Sequence, residues 1–406
     1  MSISQNYSTS RPSLSLNFAR SKTLDPRVTF TRTSTGTYVD EDGLIKTAPA
    51  GSPRFDHDPV TGECLGLLIE EQRTNLLSGN SQNPGSTGWY GGGITTLDST
   101  ITAPDGTTGG VYYVSASERV CNFVGNGLSS VTISFFAKQR SGQTDRYRVE
   151  IYQSTDTVVN LGSQDFYFTG AIDGGAPNAR FSSLTRTTYP NGWYRFSAVI
   201  TTASGTFNNT ARFDLEGSPY ANYIWGIQIE SGAFPTSYIP TTGATVTRTA
   251  DNASITGSDF SSWYNPTEGT IIARARSFNL TASTYPVMAM ISDGTNSNSH
   301  LISYIINNLG GAITTVGSAT QSELYPSATT NPRKGSYSYK LNNFLTCFNG
   351  GTVLTDNSGL VPTSVNRMNI GQHVGLEPIY SLNGYISELI YYPTALSSSQ
   401  IQTLTK

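Results

Sequence analysis

Charge is scarce in this chain: only 13% of its 406 residues are Asp, Glu, Lys or Arg, and the formal net charge is -3. Without a basic excess there is little to neutralise a row of phosphates, so nucleic acid is not expected as a partner. Cysteine is nearly missing too. Cys64, Cys121 and Cys347 are odd in number and far apart, with no C-x-x-C pair. Neither a disulfide framework nor a structural zinc site is expected, and the chain suits folding in reducing surroundings. Apolar runs of about 18 residues are absent, so no membrane-spanning helix is expected. The opening residues show no basic stretch followed by an apolar one, which argues against a secretory signal. Helical periodicity is confined to one short stretch, and no repeat of fixed period suggests a solenoid or propeller. Histidine occurs only as His57, His300 and His373. They are too scattered to suggest a zinc site or a His-based catalytic triad.

What is abundant points to β structure: 40 glycines, 23 tyrosines and long stretches of Ser, Thr and Asn. Tyr and Thr suit a pleated, half-buried surface, and Gly, Asn and Ser supply the turns between strands. Alternating runs at Arg27–Arg32, Ser129–Phe135, Arg146–Tyr152 and Trp193–Ile200 each read as a strand with one buried face. Residues 1–77 are dense in turn signals such as Asp42-Gly43 and Asp58-Pro59, and their strands are too short for a large core. That segment should pack on its neighbour or on another subunit. Residues 78–250 are long enough for a jelly roll of about eight strands. The polar stretch 241–251 reads as a linker, and residues 251–406 as a second sandwich able to fold by itself. A short helix is expected after Ala395, capped by a serine. The fold class is therefore all-β: tandem β-sandwiches preceded by a strand-rich N-terminal segment.

Several motifs are recognisable. Phe30-Thr-Arg-Thr-Ser-Thr-Gly-Thr-Tyr-Val-Asp40, Gly43-Leu-Ile, Pro53-Arg-Phe-Asp-His-Asp-Pro-Val-Thr-Gly62 and Leu67-Leu-Ile-Glu-Glu-Gln-Arg-Thr-Asn-Leu-Leu77 together resemble an N-terminal cassette of bacteriophage tail-fibre and head-spike proteins. Asn191-Gly-Trp-Tyr-Arg195, Trp225-Gly-Ile-Gln-Ile-Glu230 and Phe234-Pro-Thr-Ser-Tyr-Ile-Pro-Thr241 resemble the jelly-roll domains related to carbohydrate-binding modules. Thr270-Ile-Ile-Ala-Arg274 and Phe344-Leu-Thr-Cys-Phe-Asn-Gly-Gly351, with the closing strand and helix, resemble a concanavalin A-like (laminin G-like) lectin sandwich. The resemblance implies a virion protein exposed on the particle, assembled in host cytoplasm as a homotrimer. Its implied partners are other virion proteins (capsid or tail) and a host-surface polysaccharide. The cassette starts almost at Met1, which suits a compact spike, adaptor or decoration better than a long fibre.

Each candidate for chemistry competes with a structural reading. Asp56-His57-Asp58 places two carboxylates beside an imidazole, but neighbours on an extended strand point to opposite faces, and Asp58-Pro59 starts a turn. Turn chemistry is the expectation. Glycoside hydrolysis needs two carboxyl groups about 5–10 Å apart. The nearest pair, Asp214 and Glu216, shares a strand face in the middle segment, where a solvated outer face explains it equally well. The Glu-x-Asp-x-x-Glu pattern of glucanase relatives of the concanavalin-like fold is missing from residues 251–406. Asp293-Gly294-Thr295-Asn296 could hold calcium, yet it reads more simply as a hairpin turn. Glu70-Glu71-Gln72-Arg73 should be a solvated or ion-paired rim. Trp193 and Trp225 should anchor a core, whereas Trp89 and Trp263 are expected to be exposed. No catalytic residue, metal site or cofactor is assigned, and no membrane insertion is expected. The function expected is virion structure with host-glycan recognition; decoration without glycan binding and polysaccharide depolymerase are the alternatives.

Overall fold

The computed structural model describes residues 11–153, 159–176, 178–203, 205–208, 211–217, 219–278, 280, 285–305, 309–328, 331–375 and 380–406. Every ladder between its strands is antiparallel among these residues. The alternation that the sequence shows is kept in Arg146–Tyr152, which buries Tyr147, Val149 and Ile151 and turns its other side chains outward, whereas Ser130–Lys138 and Trp193–Thr201, expected to bury one face, bury both. Burying one face of each strand requires a second sheet, and two sandwiches result.

In the central sandwich, the six-stranded sheet runs Phe181–Thr188, Trp193–Thr201, Ser130–Lys138, Tyr223–Ser231, Val111–Ala116 and Ile94–Asp98. It faces a five-stranded sheet of Asn160–Tyr167, Arg146–Tyr152, Ala211–Glu216, Glu118–Phe123 and Trp89–Tyr90. Phe135, Phe166 and Phe196 meet across the core at ring separations of 5.2–5.7 Å. Neighbouring strands in each sheet are mostly not consecutive in the chain, the crossed connectivity of a jelly roll. The second sandwich packs an eight-stranded sheet on a seven-stranded one, with Ile271, Tyr337, Leu389 and Tyr391 meeting Ile255, Met288, Ile302 and Met368. The fold is all-β, in tandem sandwiches, as the composition indicates. The C-terminal helix Ser398–Leu404 is there as well, closed by a capping box of Ser397 and Gln400.

The segment boundaries need revision. Within residues 11–77, Leu14–Asn17, Thr29–Thr31, Phe55–His57 and Cys64–Ile69 join the sheets of the C-terminal sandwich. Cys64–Ile69 pairs with Gly384–Tyr392, Leu14–Asn17 pairs with the other end of that same strand, and Thr29–Thr31 pairs with Asn252–Thr256. The hairpin Gly36–Val39 and Ile45–Ala48 takes another role: its Val39 and Ile45 cover Phe136, Trp193, Trp225 and Tyr238 on the outer face of the six-stranded sheet. Trp193 and Trp225 are thus buried as expected, although under this hairpin and outside the sandwich core.

The expected linker is a junction. Val246–Arg248 pairs with Arg73–Asn75, and Arg248 and Asp251 are completely buried. Asp251 accepts from Arg32 Nη1 at 3.0 Å and from the Glu70 amide at 3.0 Å, and it is also bonded to Arg54. Glu70 in turn holds Arg54 Nη2 at 2.8 Å and accepts from both the amide and the hydroxyl of Ser237 at 2.7 Å. Next to it, Glu71 binds Arg73 at 2.6 Å and the Asn383 amide at 2.9 Å. Glu70, Glu71 and Arg73 are therefore an interior network and not a rim. Burial works against ionising Glu70, but Arg248 and Arg54 outweigh it and hold the carboxyl at about 2. Local hydrophobicity could not reveal this, because the groups come from four distant stretches of chain.

Candidate functional site

The two outer faces of the central sandwich differ. One is sealed by the N-terminal hairpin. On the other, the five-stranded sheet, no apolar cluster of the described residues lies over the strands, and the pleat presents charged groups and tyrosines in rows. Arg146, Arg148, Glu150 and Tyr152 come from one strand, Arg212, Asp214 and Glu216 from the next, Glu118 and Asn122 from a third. Tyr90 is 43% exposed, and its hydroxyl donates to Asn122 Oδ1 at 2.6 Å. Arg212 lies 4.1 Å from the centre of the Tyr152 ring, and Arg148 lies 4.4 Å from that of Tyr220. Arg148 also binds Asp165 through two bonds, of 2.6 and 2.8 Å.

Register explains the geometry at the centre of this face. Asp214 sits directly opposite Glu150 on one side and Val120 on the other, which brings Glu118 to its diagonal. Carboxylate oxygens of Glu118, Glu150 and Asp214 lie within 4.8 Å of one another. Asp214 has no exposed side chain; Oδ2 accepts from Arg212 at 2.9 Å, and Oδ1 has no hydrogen-bond partner. Burial, with Glu118 and Glu150 nearby, pushes its carboxyl up to about 7 despite Arg212. Glu216 is raised as well, by burial first and by Glu150 and Glu118 next. The sequence singled out Asp214 and Glu216 but missed Glu118 and Glu150, which reach the site from separate strands. The alternation within Arg146–Tyr152 was the one available signal for Glu150.

The remaining candidates resolve into structure. Asp58 Oδ1 accepts the amides of Val60 and Thr61 at 2.9 Å each, closing the turn. Asp56 and His57 both grip Val39 and so fix the hairpin: Asp56 takes its amide, and His57 Nδ1 lies 2.9 Å from its carbonyl. Asp293 accepts from the amide of Thr295 at 2.8 Å and from Asn298 Nδ2 at 2.8 Å, as a turn residue does. His300 is buried against Tyr339 at a ring separation of 3.6 Å, and burial takes it down to about 3, so it stays neutral. His373 lines a shallow cavity of about 470 Å³ with Asn252, Arg367, Asn369 and Gln372 on the seven-stranded sheet. Trp89 and Trp263 differ from expectation, for both are buried. The first donates to the Asn80 carbonyl at 2.8 Å, and the second packs 4.9 Å from Tyr391. Cys64, Cys121 and Cys347 are all free thiols and buried.

Burial drives the Asp56 carboxyl up to about 6, against the opposing effects of the Val39 amide and Tyr385. The folded state therefore holds a proton that the unfolded chain has released between roughly pH 4 and 6. Asp56 adds stability as pH falls through about 6, and its ionised form costs up to about 3 kcal/mol above that. Asp56→Asn keeps an acceptor for Val39 without the charge. Thermal melts should place this variant at or above the parent at pH 7.5 and bring the two together below about pH 4. A variant that melts lower at pH 7.5 would show that the carboxylate itself is required.

No protein-family model matches the chain, and no curated protein matches it. Solved structures give distant likenesses. The carbohydrate-binding module CBM40 of Ruminococcus gnavus IT-sialidase, bound to alpha2,6 sialyllactose, is 15% identical over 35% of this chain and 85% of that one, with a TM-score of 0.31. Mouse laminin alpha1 chain, domains LG4-5, is 10% identical over 69% and 91%, with a TM-score of 0.25. Trypanosoma rangeli sialidase in complex with the inhibitor DANA is 11% identical over 73% and 60%, with a TM-score of 0.29. No residue role is carried over from any of them.

Proposed function

We propose that this protein is a structural subunit of a bacteriophage virion that recognises a host-surface glycan through the outer face of the five-stranded sheet. The phage context rests on the cassette motifs of residues 30–77. The observation that carries the recognition half is the row of Arg146, Arg148, Arg212, Glu150 and Asn122 beside Tyr90, Tyr152 and Tyr220. Planar donors and acceptors in fixed pairs suit vicinal sugar hydroxyls, and tyrosine rings suit the apolar side of a sugar. Rigid strands hold these groups, so little ordering is needed on binding. The homotrimer belongs to the same reading: Ile94 and Leu97, on the edge strand Ile94–Asp98, are 61% and 47% exposed, and a subunit contact would cover them.

The reading includes no catalysis. A carboxyl raised to about 7 is what a general acid needs, and this favours depolymerase as the second reading. Asp214 is fully buried and tied to Arg212, however, whereas a glycosidase acid must reach the bond it protonates. Purified protein, first sized by light scattering, is passed over immobilised host polysaccharide while released sugar is assayed. Retention without release is expected, weak for one site and raised about 10²–10⁴-fold by several sites engaged together. Tyr152→Ala and Tyr90→Ala should each lower retention by about 10-fold, which is about 1.4 kcal/mol per aromatic contact. Released oligosaccharide would install the depolymerase reading. Neither retention nor release across several host strains would leave structural decoration, and a monomer in scattering would remove the trimer.

A further inference from the structure

We infer that Glu118, Glu150 and Asp214 form a binding site for one divalent cation of the size and hardness of calcium. Three observations converge on it. The first is the fit of the spacing. Calcium takes oxygen ligands at about 2.3–2.6 Å, so two oxygens on one ion can stand at most about 4.6–5.2 Å apart. The carboxylate oxygens here lie within 4.8 Å of one another. Magnesium dehydrates reluctantly and demands near-ideal octahedral geometry, so three carboxylates fixed by strand register suit the more flexible coordination of calcium better.

The second observation is independent of the clustering. Asp214 is fully buried, yet its Oδ1 has no hydrogen-bond partner. A buried carboxylate oxygen left unbonded costs free energy, and a cation at that atom removes the cost. The third is charge. Arg212 is the only basic group ion-paired to these three carboxylates among the described residues, and it takes only Asp214 Oδ2. Arg148 is already committed to Asp165. Glu150 is held in place from outside: Asn160 Nδ2 donates to Oε1 at 2.7 Å and the Tyr152 hydroxyl to Oε2 at 3.1 Å. Each of these oxygens keeps a lone pair, as carboxylate ligands with supporting donors do.

The site lies on the face assigned to glycan recognition, but it is tested without any glycan. The full chain, stripped with chelator, is titrated with calcium chloride in a calorimeter, and its melting temperature is followed in calcium, magnesium and chelator. One calcium per chain is expected, with a rise in melting temperature of a few degrees that magnesium does not match. Glu118→Gln and Glu150→Gln should each weaken calcium by about 10-fold or more. Glu118 is partly exposed, so its variant serves even where Asp214→Asn does not fold. Asp293→Asn, in the turn between two strands of the other sandwich, should leave calcium binding unchanged. No heat and no melting shift up to about 10 mM calcium, beyond the weakest natural calcium modules, would overturn the assignment. Equal shifts in calcium and magnesium, or calcium binding lost in Asp293→Asn and kept in Glu118→Gln, would overturn it too. Failure of glycan retention alone would leave it standing.

Discussion

A chain shortened to Asp251–Lys406 is expected to show no cooperative thermal transition, although its sequence reads as a complete sandwich. Leu14, Leu16, Phe18, Val28, Leu67 and Ile69 all lie in the core of that sandwich, and none is more than 8% exposed. At about 1.5–3 kcal/mol for each fully buried side chain, they contribute some 9–18 kcal/mol as an upper figure. The net stability of a whole domain is about 5–15 kcal/mol. Removing them exceeds what the fold can lose. Truncation also strips Gly384–Tyr392 of Cys64–Ile69 and Leu14–Asn17, leaving an apolar strand edge open to aggregation. Circular dichroism during heating, together with size-exclusion chromatography, reads the outcome. A sharp transition from a monomeric fragment would show that the first 77 residues are an accessory and not part of the core.

Asp251→Ala should lower the stability of the full chain by about 3–5 kcal/mol, which is the range seen when one partner of a buried ion pair is removed. Its carboxylate joins Arg32, Arg54 and the Glu70 amide, and its carbonyl accepts from Gln372. Loss of the carboxylate strands Arg32 and Arg54 with less opposing charge inside the protein. Glu70 alone then faces Arg54 and Arg248. Asp58→Ala is the comparison: that residue caps an exposed turn, and about 1 kcal/mol is expected from its loss. Urea titrations of both variants beside the parent decide the matter. A shift for Asp251→Ala no larger than that for Asp58→Ala would mean the junction network adds no net stability.

Strand identity and the all-β class were legible because the side-chain period of a strand is local. Arg146-Tyr-Arg-Val-Glu-Ile-Tyr152 states in seven letters which side chains go in and which go out. The same holds for the terminal helix, whose cap and apolar residues are neighbours in sequence. Turn chemistry at Asp58 and Asp293 was legible for the same reason, since an Asp side chain bonds amides two or three residues on.

Pairing is another matter. That Cys64–Ile69 lies beside Gly384–Tyr392 depends on which exposed edge best buries its apolar face, and no local pattern encodes the partner. Burial of Trp89 and Trp263, and the inward turn of Glu70, Glu71 and Arg73, follow from such pairings. So does the carboxylate cluster on the five-stranded sheet. Asp214 was visible on its own strand, but register alone set Glu150 across from it and Glu118 at its diagonal. The sequence by itself determined which residues become strands and, on Arg146–Tyr152, which face is buried; that Ser130–Lys138 and Trp193–Thr201 are buried on both faces depended on the hairpin that covers them. Only the tertiary structure decided what stands beside each strand, because charges and rings meet across ladders whose partners can lie hundreds of residues apart.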